Sequence, residues 1–186
     1  MKIFRTDQEK KLWICAFVVV IAIFSTLFIG QPLVDLFQNQ NTQAWIFGSV
    51  MILVGTTILV HGVKTKPGKL ELTLILGIVA VYVMFFLRLG LSERTHLMEY
   101  SVLAIFIHKA LNERIGTKKG FISVALISFF ITFIIGVIDE GLQFFLPNRV
   151  FDVEDIIFNR MAAAMAMVFS ILMQWFRSKK TNDRAN

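Results

Sequence analysis

Residues 121–138 read FISVALISFFITFIIGVI, and the next two are Asp139 and Glu140. Eighteen consecutive residues carry no charge. As an α-helix rising about 1.5 Å per residue they extend about 27 Å, close to the ~30 Å of a bilayer's hydrocarbon core. They are apolar on all sides, whereas membrane strands would alternate with period two and need a closed barrel to pair their backbones. The stretch predicts a membrane-spanning helix, with two carboxylates where it leaves the hydrocarbon.

Outward from this helix the same composition recurs. Leu12–Ile29, Ala44–Val60 and Leu72–Leu87 are also free of charge, and Ile156–Phe176 carries only Arg160 near its start. A sixth run, Thr95–Ala110, is interrupted by His96 and Glu99. Across the 186 residues 56% are hydrophobic and 17% charged, with a mean hydropathy of +0.68. A soluble domain holds roughly 45–50% apolar and about 25% charged residues, so a water-soluble globule and a disordered chain are both excluded. Six spans of about 20 residues use about 120 positions and leave no room for a separate soluble catalytic domain. The lone Cys15 excludes an internal disulfide framework and a cysteine-cluster metal site. The first apolar run exceeds the usual ~7–15 residues of a signal peptide and is followed by no small-x-small cleavage site, so it reads as a retained span.

Basic residues fix the expected orientation. With six spans and a cytoplasmic N-terminus, the inner segments hold Lys2, Arg5, Lys10 and Lys11; Lys64, Lys66 and Lys69; Lys109, Arg114, Lys118 and Lys119; Arg177, Lys179, Lys180 and Arg184. That is 15 of the 19 basic residues, leaving Arg88, Arg94, Arg149 and Arg160 outside. The positive-inside rule therefore predicts an all-α, polytopic integral membrane bundle of about six transmembrane helices with both termini cytoplasmic. The net charge of +6 belongs to short segments beside an anionic leaflet, without interleaved aromatics, and so indicates no nucleic-acid partner.

The chemistry-bearing residues gather on the other side. Seven acids (Glu93, Glu99, Asp139, Glu140, Asp152, Glu154, Asp155) face four arginines, a net charge near −3. His96, Glu99, Tyr100 and Leu103 share a helical stripe, as do Asp152, Asp155 and Asn159. Asp139 and Gln143 are an i, i+4 pair if the helix continues past Ile138, and Glu140 points about 100° away. Asp152 or Glu154 is placed to cap the last helix. Pro147-Asn148-Arg149 suits a sharp turn, and Leu142–Leu146 suits a short interfacial or re-entrant piece. A charge at bilayer depth costs at least about 2.5–3.5 kcal/mol, so these stripes are expected to face one another or a water-filled cavity.

The string Asp139-Glu140-x-x-Gln143-x-Phe145-x-Pro147-x-Arg149, then Asp155-x-x-x-Asn159, with His96-x-x-x-Tyr100-x-x-Leu103 upstream, resembles the VanZ-like family of bacterial membrane proteins. The resemblance covers about Thr95–Met167. Asn148 stands where the family usually has glycine, and Ala162 and Ala166 stand where it favours glycines. The family is named for a protein conferring modest resistance to the glycopeptide teicoplanin. The resemblance implies a multi-pass protein of the bacterial cytoplasmic (inner) membrane. It would comprise residues 1–94, three helices without a recognisable motif; residues 95–176, the VanZ-like core; and residues 177–186, a basic cytoplasmic tail.

Two readings of the polar residues stand side by side. In one, a site opens to the outer leaflet and binds or acts on a cell-envelope lipid or lipid-linked cell-wall precursor, with an effect on teicoplanin susceptibility. His96, Glu99, Asp139 and Glu140 would be its acid/base residues, because an imidazole oriented by a carboxylate titrates near neutral pH. Tyr100, Gln143, Arg149, Asp155 and Asn159 would bind substrate, the arginine fork suiting an anionic head group. In the other reading the protein is structural, chaperone-like or a transporter, and the polar band locks helices together. His96, Glu99, Asp139 and Asp155 would suit magnesium, calcium or manganese better than zinc, but no ligand spacing such as H-E-x-x-H is present and no metal is assigned. No nucleophile motif of the G-x-S-x-G type occurs, and no cofactor is indicated. His61 and His108 are expected at cytoplasmic helix ends, on the surface. Met161, Met165 and Met167 are expected to pack or face lipid.

Overall fold

A computed structural model describes residues 4–28, 68–88, 91–115, 120–146 and 151–185, with Thr42, Trp45 and Ser49 as isolated positions. The helices among them are α1 (Asp7–Phe28), α2 (Lys69–Arg88), α3 (Leu91–Ile115), α4 (Phe121–Gln143) and α5 (Val153–Ala185). There is no strand among the described residues. Among the described residues three segments are long and apolar enough to cross a membrane: Asp7–Leu27, Phe121–Gln143 and Val153–Trp175. The run expected at Leu72–Leu87 falls on α2 and that at Thr95–Ala110 on α3. The span expected at Ala44–Val60 lies outside the described residues apart from Trp45 and Ser49.

The chain divides into two compact units, residues 1–27 with 84–186, and residues 28–83. In the second unit, α2 leaves Leu72, Leu76 and Val81 exposed and buries Ile75. The first unit holds the polar residues of interest. There α3, α4 and α5 pack against one another pairwise.

Helix α4 shows how the first unit is built. Its exposed residues include Ile122, Leu126, Phe130, Ile134 and Ile138, one every four positions, with Val137 beside them, and these form an apolar outer stripe. Its buried residues are Val124, Ala125, Ser128, Thr132, Gly136, Asp139, Glu140 and Gln143. Large side chains thus point out while small and polar ones point in, the reverse of a soluble helix and the arrangement a lipid solvent demands. Buried hydroxyls are satisfied along the helix: Ser128 Oγ donates to the Val124 carbonyl at 2.7 Å and Thr132 Oγ1 to the Ser128 carbonyl at 2.9 Å.

The core follows from the small residues. Ala104 of α3, Ala125 of α4, and Ala163 and Ala166 of α5 cluster with Met167, flanked by Ile105, Phe129 and Ile171. In lipid, helices gain little from excluding apolar surface, so close approach across small side chains supplies the packing. One close approach is at Gly136. A Cβ there would sit 3.2 Å from both Asn159 Cβ of α5 and Tyr100 Cε1 of α3.

Helix ends are capped by local chemistry. Thr6 Oγ1 accepts from the Glu9 N–H at 3.0 Å, and Glu9 Oε2 reaches back to accept from the Arg5 N–H at 2.7 Å. This is a close variant of a capping box. Glu9 is fully buried, and its Oε1 lies 3.6 Å from Arg114 Nη1, tying α1 to the end of α3. Asp152 Oδ1 accepts from the Glu154 N–H at 2.8 Å and so caps α5, as its position predicted. Helix α4 runs on past Ile138 to Gln143, where a turn through Phe144 and Phe145 ends it.

One expectation is overturned. His108 is not a surface residue: it is 2% exposed. Its Nε2 lies 3.0 Å from Asn112 Nδ2 and 2.8 Å from Gln174 Nε2, and its Nδ1 lies 3.4 Å from Ser128 Oγ. The polar partners come from α3, α4 and α5 together, so the imidazole is accommodated inside the bundle. His61 lies outside the described residues.

Candidate functional site

The continuation of α4 past Ile138 brings Asp139, Glu140 and Gln143 to the end of the bundle where α3 and α5 begin. All three are buried: Glu140 is 0% exposed, Asp139 2% and Gln143 6%. Helix α3 contributes His96, Glu99 and Tyr100 from one stripe, and α5 contributes Asp155 and Asn159 four residues apart. Each helix has placed its polar residues on the face turned toward the other two.

The contacts are specific. Tyr100, completely buried, donates its hydroxyl to Asp139 Oδ2 at 2.9 Å and joins α3 to α4. The His96 and Tyr100 rings stack with centroids 6.1 Å apart. His96 Nε2 lies 3.7 Å from Asp155 Oδ2, an approach between α3 and α5. Gln143 Nε2 donates to Glu140 Oε1 at 3.0 Å. Glu99 is half-buried and within electrostatic range of Asp139, while Asp139 and Asp155 are within range of Glu140.

Several polar atoms are left over. Glu140 Oε2, His96 Nδ1 and both carboxamide atoms of Asn159 are buried and accept or donate no hydrogen bond in the protein. A buried polar group without a partner costs about 1–3 kcal/mol, so several such atoms gathered in one place need a physical reason. Donor atoms of His96, Asp139 and Glu140 lie within 4.8 Å of one another.

The family model for VanZ/LLP1 matches residues 13–174. The protein belongs to the VanZ/LLP1 family. Comparison with curated proteins and with solved structures finds no match. The VanZ/LLP1 match spans α1 as well as α3, α4 and α5, so it takes in the first helix, where the sequence showed no motif.

Of the residues singled out in the sequence, His96, Tyr100, Asp139, Glu140, Gln143, Asp155 and Asn159 line the junction of α3, α4 and α5 in this VanZ/LLP1 protein, with Glu99 beside them. Arg149 lies outside the described residues, as do Pro147 and Asn148. Two details differ from the spacing argument. Gln143 pairs with Glu140, three residues back, and not with Asp139. The carboxylate that pairs with His96 is Asp155 of another helix, and not Glu99 one turn along. Sequence reasoning missed Gly136, which makes room for Tyr100 and Asn159 against α4. Its only signal was a glycine inside an otherwise uninterrupted apolar run.

Proposed function

We propose that this VanZ/LLP1 protein presents its polar junction to the outer leaflet of the bacterial cytoplasmic membrane and there binds the head group of a cell-envelope lipid or lipid-linked cell-wall precursor. The proposed topology is six spans with both termini cytoplasmic, which the distribution of basic residues supports. The observation that carries the reading is the set of buried polar atoms without protein partners, Glu140 Oε2, His96 Nδ1 and the Asn159 carboxamide, at one end of the bundle.

The surroundings favour a lipid over a free solute. Phe144, Phe145 and Phe151 are exposed beside the junction, with Phe144 in ring contact with both of the others. Exposed aromatic side chains next to a polar cleft offer a surface for acyl or isoprenoid chains while the head group enters between helices. Arg149, close in sequence, is the proposed contact for an anionic phosphate. If the bound lipid is chemically altered, His96 held by Asp155 is the proposed proton carrier, with Asp139, Glu140 and Glu99 around it. An effect on teicoplanin susceptibility then follows from a changed supply or display of envelope precursors.

A second reading is favoured by one observation. The Tyr100–Asp139 hydrogen bond joins two helices and serves equally well as a lock in a non-enzymatic structural, chaperone-like or transport protein. Lipid retention separates the two. Protein purified in mild detergent and extracted for mass spectrometry should carry a phosphate-bearing envelope lipid, which an Asn159→Leu variant of equal monodispersity loses. Equal lipid content in both proteins contradicts the binding reading.

A further inference from the structure

We propose that His96, Asp139 and Glu140 together ligate one divalent cation, of the manganese type. The inference concerns the same junction as the proposed function but stands without it, since an ion binds whether or not a lipid does.

Distance comes first. The three donor atoms lie within 4.8 Å of one another. Ligands about 2.0–2.3 Å from a shared ion are at most about 4.6 Å apart, so side-chain adjustments of a few tenths of an ångström close the site. Orientation is the second argument. Each ligand has a neighbour at one atom: Asp139 Oδ2 accepts from the Tyr100 hydroxyl, Glu140 Oε1 accepts from the Gln143 amide, and His96 Nε2 lies 3.7 Å from Asp155 Oδ2. What this leaves on His96 and Glu140 is Nδ1 and Oε2, both buried and without a hydrogen-bond partner. A carboxylate behind a histidine and hydrogen bonds behind carboxylates are how proteins orient metal ligands.

A separate observation from the third helix points the same way. Asn159 is 1% exposed, and neither atom of its carboxamide has a protein partner. It packs against Gly136, one turn before Asp139, beside the Tyr100 ring. A buried amide carbonyl at the same crossing is a ready acceptor for water held by an ion. Charge completes the case. Two carboxylates and a neutral imidazole around a divalent ion form a neutral unit, which removes the cost of isolated charges among apolar helices.

The donor set selects the ion. One nitrogen and two carboxylate oxygens, with no thiolate, do not match the sulfur-rich or nitrogen-rich sites that hold zinc or copper. Calcium takes six to eight oxygens, and magnesium dehydrates reluctantly and prefers an all-oxygen shell. Manganese(II) accepts imidazole and carboxylate together.

The test is a titration of the full chain, purified in detergent and stripped with chelator, with Mn²⁺ alone. Binding is read from loss of the free-ion electron paramagnetic resonance signal. One Mn²⁺ per chain is expected, with affinity reduced at least about 10-fold in Glu140→Gln. Asp155→Asn leaves all three ligands in place and neutralises the carboxylate that faces His96, and should weaken binding by about 10–100-fold. Glu154→Gln, at an exposed position, should bind as wild type. If Glu140→Gln does not elute as a single species, Gln143→Ala takes its place with the same expected direction. Uptake below one tenth of an equivalent at millimolar Mn²⁺ would overturn the proposal, as would monodisperse Glu140→Gln or Gln143→Ala and Asp155→Asn proteins that bind like wild type. No lipid enters the readout, so its failure and the failure of lipid retention are distinguishable.

Discussion

Tyr100 and Asp139, 39 residues apart in the chain, meet at 2.9 Å through a hydroxyl-to-carboxylate hydrogen bond inside the bundle. The bond spans the crossing of α3 and α4, and Gly136 makes room for it by carrying no side chain where the Tyr100 ring passes. Both residues are almost wholly buried, so the bond is made in surroundings where water offers no substitute.

Removing the hydroxyl should therefore be felt. Tyr100→Phe keeps the ring and deletes one donor to a buried carboxylate, at an expected cost of about 1–3 kcal/mol. The midpoint of thermal unfolding in detergent should fall relative to wild type. An unchanged midpoint would mean that the hydroxyl contributes nothing to holding α3 against α4.

Gly136 and Gly141 should respond in opposite directions. At Gly136 a Cβ already stands 3.2 Å from atoms on two other helices, and Gly136→Val adds two methyls beyond it, with an overpacking cost of about 1–3 kcal/mol. At Gly141, in the last turn of α4, nothing lies within 4 Å of the added Cβ, so Gly141→Ala should be neutral or stabilise by up to about 1 kcal/mol. Thermal unfolding of the two variants side by side checks the crossing; equal midpoints would contradict it.

The exposed stripe of α4 carries its own prediction. Phe130 is 56% exposed, near the middle of the helix. On a soluble protein Phe130→Arg would be tolerated. Facing hydrocarbon it should cost at least about 2.5–3.5 kcal/mol and sharply lower the amount of protein in the membrane fraction, whereas Phe130→Leu should not. Equal membrane levels of the two variants would contradict a lipid-facing stripe.

The cluster around His108 should behave as a unit. His108→Leu and Gln174→Leu each break the same 2.8 Å contact, so the double variant should be less destabilised than the sum of the two, by about 0.5–3 kcal/mol. Strict additivity in thermal unfolding would show that the two side chains do not interact.

Much of this was legible in the sequence because lipid imposes simple rules. Uncharged runs near 20 residues marked helices, and the polar stripes His96–Tyr100, Asp139–Gln143 and Asp155–Asn159 had to face inward because charge in hydrocarbon is expensive. Spacing along one helix, however, says nothing about partners on another. It put His96 on one stripe with Glu99 and gave no reason to expect Asp155 of another helix, which lies 3.7 Å from the imidazole. His108 was misplaced for a related reason: its position near an expected cytoplasmic helix end suggested a surface, but its accommodation depends on Ser128 and Gln174, remote in sequence. The start of α1 was legible and overlooked, since Thr6-Asp7-Gln8-Glu9 carries the capping-box pattern in plain view.

The action on the cell envelope that we propose for the junction of α3, α4 and α5 goes beyond that of a helix lock. The most direct measurement is teicoplanin susceptibility of a sensitive Gram-positive host carrying empty vector, the wild-type protein, or an Asp139→Asn/Glu140→Gln double variant, with membrane levels matched by immunoblot. The account predicts that the wild type raises the inhibitory concentration and that the double variant, present in equal amount, returns it to the vector value. Protection by the double variant equal to wild type, or no protection by well-expressed wild type, would contradict it.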